Sequence, residues 1–340
     1  MKAAVLEAPN KLVVKEVHDP QIGPYDVLCE LLYGAICTGT DTHIIKGGFP
    51  FSSPPPTILG HESIGRVVKA GEKVRHFRVG DLVTRVGAPA SARGEYTSSW
   101  GGFATLGVAT DCWAKVADGL ERPPGKPTVQ FPLPAGIDPA EATMIITWRE
   151  TFSYVKRMGV AAGTKVLIIG SGGNGLAMAN HAANLGASCV AMIGSPSRQQ
   201  TAETIGVKHF ADYHDGESAK QLKKTVGGGF DFCIDSLGRR GNLDLALSLL
   251  VSGGCVSMYG LDEIGQCSIK PGWSPFRYFP ASYAEGEAHE AVLGFMRSGM
   301  LAARHWLDTE HPYPLEAIND AFADLAARRI GPKALVRLAE

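Results

Sequence analysis

Residues Lys165–Ala187 read KVLIIGSGGNGLAMANHAANLGA. Val166-Leu167-Ile168-Ile169 is a short unbroken apolar run, the pattern of a strand buried on both faces. Gly170-x-Gly172-Gly173-x-Gly175 follows at once and contains the spacing G-x-G-x-x-G. Beyond it Leu176, Ala179 and Ala183 recur at helical spacing in an alanine-rich segment. The glycine spacing by itself is a weak signal, shared with loops of other doubly wound proteins. Between a buried strand and a helix it predicts a dinucleotide-binding turn. The first glycine makes the tight turn, the second lets backbone N–H groups approach a pyrophosphate, and the third lets helix and strand pack closely. The helix N-terminus then offers unpaired N–H groups and a positive dipole end to the anion.

Working outward, residues from about 152 to 286 alternate strands and helices. Strands are expected at Val166–Ile169, Cys189–Ile193, Lys208–Ala211, Phe230–Ile234 and Cys255–Tyr259, with helices at Gln199–Ile205, Ser218–Val226 and Asn242–Leu250. Such alternation predicts right-handed crossovers and a parallel sheet covered by helices on both faces. In a dinucleotide fold the second strand ends, about 20 residues past the glycines, at an Asp or Glu that holds the adenosine ribose. Here Cys189–Ile193 runs into Gly194-Ser195-Pro196-Ser197-Arg198, with no carboxylate. A carboxylate would repel a 2′-phosphate, whereas a hydroxyl and a guanidinium bind one. NADP is therefore favoured over NAD, the plainer reading of Arg198 being the solvated start of the next helix.

Residues 1 to about 150 read as β-rich, with alternating or β-branched runs at Met1–Leu6, Leu12–Val17, Val27–Tyr33, Ser63–Val68 and Asp81–Val86. Gly87–Trp100 and the proline-dense Leu120–Pro139 are expected as loops, and Ala140–Met158 as a helix. The tail reads as helices at Glu287–Ser298 and Leu315–Arg328 and a last strand at Ala334–Leu338. The domains implied are 1–151 with 287–340, and 152–286. A chain of 340 residues, 45% hydrophobic and 20% charged, has room for both. A net charge of −1 gives no basic surface for nucleic acid. The seven cysteines show no paired short spacing, and Cys189, Cys233 and Cys255 fall in apolar runs. They read as reduced core residues of a cytoplasmic protein. MKAAVLEAPN has no apolar h-region, and no run is long enough to span a membrane.

Two polar clusters punctuate the β-rich half: Cys37-Thr38-Gly39-Thr40-Asp41-Thr42-His43 and Gly60-His61-Glu62. A thiolate, an imidazole and a carboxylate make a zinc set, catalytic if one position stays open. Zinc would polarise an alcohol oxygen and favour hydride departure to a nicotinamide. Thr40 would relay the hydroxyl proton, and Asp41 would orient His61. On spacing alone, Cys37 and His61, more than twenty residues apart, are equally two core residues.

With these residues in view, the chain resembles the medium-chain dehydrogenase/reductase superfamily, its zinc-type alcohol and polyol dehydrogenases in particular. The likeness rests on the Gly60-His61-Glu62 segment with Gly65 following, Gly80-Asp81 before a strand, the glycine turn, and the terminal Lys333-x-Leu-Val. It implies an α/β fold: a Rossmann doubly wound parallel sheet plus a GroES-like β-rich catalytic domain. It implies zinc ligands at Cys37 and His61, with Glu62 as ligand or near neighbour, and a homodimer or homotetramer. Gly194-Ser195 resembles the Gly-Ser pair of the NADP-using secondary alcohol dehydrogenases. The residues assigned to the cofactor are Gly170, Gly172, Gly173, Asn174, Gly175, Gly194, Ser195, Arg198, Ser236 and Lys333.

Three departures follow. One extra residue separates Cys37 from Thr40-Asp41 relative to the family's Cys-x-Ser/Thr-Asp. Gly87–Trp100 contains no cysteine, so a structural zinc is not expected. The position of the family's remaining ligand falls at Ile146, which cannot bind metal. Glu150, four residues on and on the same helical face, either supplies the missing carboxylate or is a polar group of the substrate pocket. The reading reached is an NADP(H)-dependent dehydrogenase or carbonyl reductase acting on a secondary alcohol, polyol or sugar-like substrate, assisted by one catalytic zinc. A zinc-free quinone or enoyl reductase and a non-catalytic NADPH-binding protein are the alternatives. Phe49, Phe51, Trp100, Trp148 and Trp273 are candidates for a cleft wall or, more simply, for core and loop packing.

Overall fold

The computed structural model of the chain describes residues 1–121, 129–263, 265–266, 275–280 and 282–339. Cys267 and Trp273 lie outside the described residues. The chain forms two compact units, Met1–Ile146 with Ala302–Glu340, and Thr147–Leu301.

The first unit is built from β1 (Lys2–Ala8), β2 (Lys11–Glu16), β3 (Asp26–Ala35), α1 (Thr38–Ile45), β4 (Thr57–Ile58), β5 (Glu62–Ala70), β6 (Leu82–Thr84), β7 (Thr97–Ser98), β8 (Leu106–Thr110), α2 (Cys112–Ala117) and α3 (Pro139–Ala142). One sheet has the order β2-β1-β4-β7. In the other, β3 pairs antiparallel with β5, with β8 and with the C-terminal strand Leu335–Arg337. Alternate residues of β3, among them Val27, Cys29 and Leu31, are fully buried in a core shared with Val5, Ile58 and Val336. Five elements here have no forerunner in the sequence reading: α1, β4, β7, β8 and α2. α1 is polar, and only Asp41 and Ile44 of its eight residues are buried, too few to show a periodicity. β8 has a glycine in its short alternation, which weakens the strand signal.

The second unit takes in α4 (Met144–Met158) from Thr147 onward; α4 is separated from α3 by Thr143, whose hydroxyl donates to Ala140 O at 2.7 Å. The expected single helix over 140–158 is thus two. β9 (Lys165–Ile169), α5 (Gly173–Asn184), β10 (Cys189–Gly194), β11 (His209–Asp212), β12 (Phe230–Asp235), β13 (Leu250–Met258) and β14 (Arg277–Tyr278) form a parallel sheet of order β11-β10-β9-β12-β13-β14. Val166, Leu167 and Ile168 are fully buried, as an apolar run in a central parallel strand requires. The order runs outward from β9 in both directions, so the switch point where such sheets bind ligands lies between β9 and β12. β13 starts five residues earlier than its expected position and stops at Met258, which leaves Tyr259 just beyond the strand end. In the tail, both expected helices open on 3₁₀ turns, Glu285–Ala288 before His289–Arg297 and Leu315–Ala317 before Ile318–Ala326.

Candidate functional site

The register of β3 assembles a cluster in the first unit. Ala35 at its end pairs with Glu62 on one side and with Leu335 on the other. Ile36 N–H donates to Ala334 O at 2.9 Å. Cys37, His61-Glu62 and Lys333 therefore arrive beside the same strand ends from three distant stretches of chain. The carboxylate of Asp41 accepts from Cys37 N–H at 2.9 Å, which ties the first turn of α1 to these strand ends and complements its dipole. Gly60, just ahead of His61, has φ +93°, and a Cβ there would lie 2.7 Å from the Phe103 ring. Only glycine fits that turn.

Ligand atoms of Cys37, His61 and Glu62 lie within 4.8 Å of one another, and all three side chains are buried; among the described residues this is the one such group. His61 Nδ1 lies 3.6 Å from Asp41 Oδ1, and His61 Nε2 lies 3.7 Å from Glu62 Oε1. Neither His61 Nδ1 nor Asp41 Oδ1 has a hydrogen-bond partner. Buried polar atoms are normally paired, so two orphans facing each other at 3.6 Å stand out. That is the arrangement in which a carboxylate orients a metal-ligating histidine. Burial pushes the His61 pKa down, but the facing Asp41 carboxylate and Cys37 thiol outweigh it and hold His61 well above its usual range. A soft thiolate, an imidazole and a carboxylate fit Zn²⁺.

Lys333, assigned from sequence to the cofactor, is here the partner of Glu62. Its Nζ donates to Glu62 Oε1 at 2.7 Å and also to Oε2, across 271 residues of sequence. Burial lowers the ammonium pKa, but the Glu62 charge more than offsets this and raises it. Thr40 Oγ1 sits 3.7 Å from Cys37 Sγ. Trp100 lies 5.4 Å from the His61 ring and 6.0 Å from Phe49, which in turn is 5.7 Å from Phe51. These three rings form an aromatic wall beside the ligand cluster, and Phe51 is 77% exposed. Trp148, grouped with them by sequence, is fully buried in α4 and packs in the core.

The second unit carries the glycine turn. Gly170 has φ +108°, and a Cβ on Gly175 would stand 2.0 Å from Gly170 O. A Cβ on Gly172 would meet nothing within 4 Å, the open side from which an anion can approach the backbone. Ser236 Oγ donates to Ile169 O at 2.9 Å, so this predicted cofactor residue braces the turn from the end of β12. At the end of β10, Ser195 N–H donates to Ser171 Oγ at 2.9 Å and Ser195 Oγ lies 3.1 Å from Ser197 Oγ. Arg198 ends the 3₁₀ turn Pro196–Arg198. Glu150 belongs to this unit, on α4, where its Oε2 accepts from Tyr259 Oη at 3.4 Å. Tyr259 Oη in turn accepts from Asn174 Nδ2 at 3.4 Å. Sequence reading gave no sign of this Asn174–Tyr259–Glu150 link, since a lone tyrosine at a strand end carries no spacing signal.

The described residues contain no helix long and apolar enough to cross a membrane. Residues 23–118 match the family model of the alcohol dehydrogenase GroES-like domain, and residues 173–279 that of the zinc-binding dehydrogenases. An alcohol dehydrogenase of Moraxella sp. (strain TAE123) is 27% identical over 341 residues, covering 97% of each chain. An alcohol dehydrogenase of Rhizobium meliloti (strain 1021) is 30% identical over 264 residues, covering 76% of each. Among solved structures, an NADP-bound protein of Sinorhizobium meliloti 1021 assigned as a zinc-binding dehydrogenase matches with a TM-score of 0.81 at 24% identity, over 99% of this chain and 98% of that one. The chain belongs to the zinc-type medium-chain dehydrogenase/reductase superfamily and is an oxidoreductase of the alcohol dehydrogenase kind.

Proposed function

We propose that the protein is an NADP(H)-dependent alcohol dehydrogenase or carbonyl reductase acting on a secondary alcohol, polyol or sugar-like substrate. The first unit holds a catalytic zinc, and the second binds the dinucleotide. The observation that carries this reading is the buried Cys37, His61 and Glu62 donor set with Asp41 behind the imidazole. A zinc-free quinone or enoyl reductase has no use for a thiolate and an imidazole gathered with an orienting carboxylate.

The metal supplies Lewis-acid polarisation of the alcohol oxygen, and the nicotinamide supplies the hydride acceptor. Cys37 and His61 hold the metal, with Glu62 as third ligand or, balanced by Lys333, as its immediate neighbour. Asp41, 3.6 Å from His61 Nδ1, would orient the imidazole and favour the tautomer that leaves Nε2 able to ligate. Thr40 would relay the hydroxyl proton, its Oγ1 accepting it while releasing its own proton toward solvent. Phe49, Phe51 and Trp100 pack against an apolar or CH-rich substrate face. The Gly170–Gly175 turn holds the pyrophosphate on the N-terminus of α5. Ser195 and Arg198 bind the 2′-phosphate; the NADP bound by the Sinorhizobium relative supports this choice.

The test combines metal analysis of protein purified without chelator with turnover on an alcohol panel. Stoichiometric zinc in the parent protein, lost together with turnover in Cys37→Ser while NADPH binding persists, supports the reading. Full turnover in metal-stripped protein or in Cys37→Ser refutes the zinc, and equal turnover with NADH and NADPH refutes the cofactor preference.

A further inference from the structure

We infer that Glu150 and Tyr259 form a polar clamp for the nicotinamide half of the dinucleotide, with Tyr259 acting as the positioning residue. This rests on the dinucleotide reading above. Every contact used lies within the second unit.

The sheet order decides which half of the ligand these residues meet. A dinucleotide straddles the switch point, one mononucleotide on each side. Gly194, Ser195 and Arg198 end β10, so the adenosine half belongs on that flank of β9. The nicotinamide half then lies over β12 and β13 on the other flank. Tyr259 is the first residue past the end of β13, and Asn174 lies in the first turn of α5, where the pyrophosphate docks. The bonds from Asn174 Nδ2 to Tyr259 Oη and from Tyr259 Oη to Glu150 Oε2 thus run from the pyrophosphate turn to a carboxylate on the nicotinamide side.

Both bonds measure 3.4 Å, longer than the usual ~2.8–3.0 Å, so neither one fixes the tyrosine. Ring packing does. The Tyr259 ring meets Tyr154 edge-to-face at 5.0 Å and 88°, and Tyr154 Oη is itself paired with Ser257 Oγ in β13. The hydroxyl is therefore placed by a buried aromatic neighbour, and its weak bonds can shorten or exchange when a ligand arrives. The chemistry matches. A nicotinamide ribose presents two vicinal hydroxyl donors, and a carboxylate is an acceptor with about four lone-pair sites, the complement a diol needs. Carboxylate capture of a ribose diol is how the adenosine half is held in other dinucleotide folds. Here the carboxylate is absent from the end of β10 and present, 6% exposed, at Glu150.

The test is equilibrium binding of two probes, NADPH and adenosine 2′,5′-bisphosphate, to the parent protein and to Tyr259→Phe and Glu150→Gln. NADPH is followed by its own fluorescence and the half-ligand by its displacement of NADPH. Tyr259→Phe keeps the ring that packs on Tyr154. Each variant is expected to bind NADPH about tenfold more weakly, the loss of one hydrogen bond to a charged group, with the half-ligand unchanged. The double variant should lose little more than either single one, because the tyrosine acts through the carboxylate. Unchanged NADPH affinity in both single variants overturns the inference, as does an equal loss for both probes. A parent protein that binds neither probe refutes the dinucleotide reading itself.

Discussion

Replacing Lys333 with methionine removes an ammonium from a site where it cannot be replaced by water. Glu62 is 1% exposed and Lys333 4% exposed, and both carboxylate oxygens accept from the same nitrogen. In Lys333→Met the carboxylate stays buried without the ammonium that meets both its oxygens, a change that costs about 3–5 kcal/mol. For a domain of this size each kcal/mol moves the melting temperature by about 2–4 °C, so a fall of about 6–20 °C is expected. The assay is urea and thermal unfolding at neutral pH in the presence of chelator. The folded Lys333 pKa is raised, so its contribution is complete at neutral pH and is lost only as pH climbs through that raised value. Lys333→Met combined with Glu62→Met replaces both charges by apolar groups and should recover most of the loss. Saturating zinc should rescue Lys333→Met more than it stabilises the parent protein, because the stranded carboxylate gains a cation; binding at 100 times Kd is worth about 2.7 kcal/mol. A loss below about 1 kcal/mol in chelator, or a double variant no more stable than the single one, refutes the reasoning.

Gly175→Ala would place its Cβ 2.0 Å from Gly170 O. It should abolish measurable NADPH binding in a fluorescence titration, and an unchanged affinity would contradict the turn's role. Ser195→Asp puts a carboxylate where the 2′-phosphate is expected and should weaken NADPH by about tenfold or more while sparing NADH, the two measured side by side. Burial pushes His181 down to about 3, and burial with the Arg149 charge pushes His289 down to about 4. Both stay neutral in the folded chain at pH 5, while in the unfolded chain each binds a proton below about pH 6.5. Stability from these two groups is present above pH ~6.5 and falls as pH drops toward 4, by up to about 1.4 kcal/mol per pH unit for each. Urea midpoints at pH 7, 6 and 5 should show that slope, and its persistence in His181→Leu with His289→Gln would assign it elsewhere. Glu285→Gln should destabilise by about 3–5 kcal/mol in urea, since it leaves the fully buried Arg149 without the carboxylate it meets at 2.9 Å; a change near zero would show the pair to be dispensable.

The second unit was legible because its signals are local. A strand buried on both faces is a continuous apolar run, and the glycine spacing follows directly after it. The proposed metal donors were legible as residue types, because Cys37 and His61-Glu62 stand beside strand ends. What joins them was not. The pairing of Ala35 with both Glu62 and Leu335 is a long-range register, and it puts Lys333 against Glu62. α1 escaped notice because a helix with two buried residues shows no stripe, and β14 because it has two residues in all. The ring contacts of His61, Trp100 and Phe49 depend on a backbone at φ +68° for Trp100, which no propensity favours.

The pairing of β3 with the chain's last strand also has a bearing on the order of events during synthesis. Glu62 is made early and its counter-ion comes from residue 333, so a chain still emerging from the ribosome holds the thiol, the imidazole and the carboxylate without the cation that balances them. Only when Leu335–Arg337 has docked on β3 do these strand ends acquire their full complement of charge. A cation reaching the proposed ligands before that docking would meet a more anionic set than the finished protein presents, because Lys333 is not yet against Glu62.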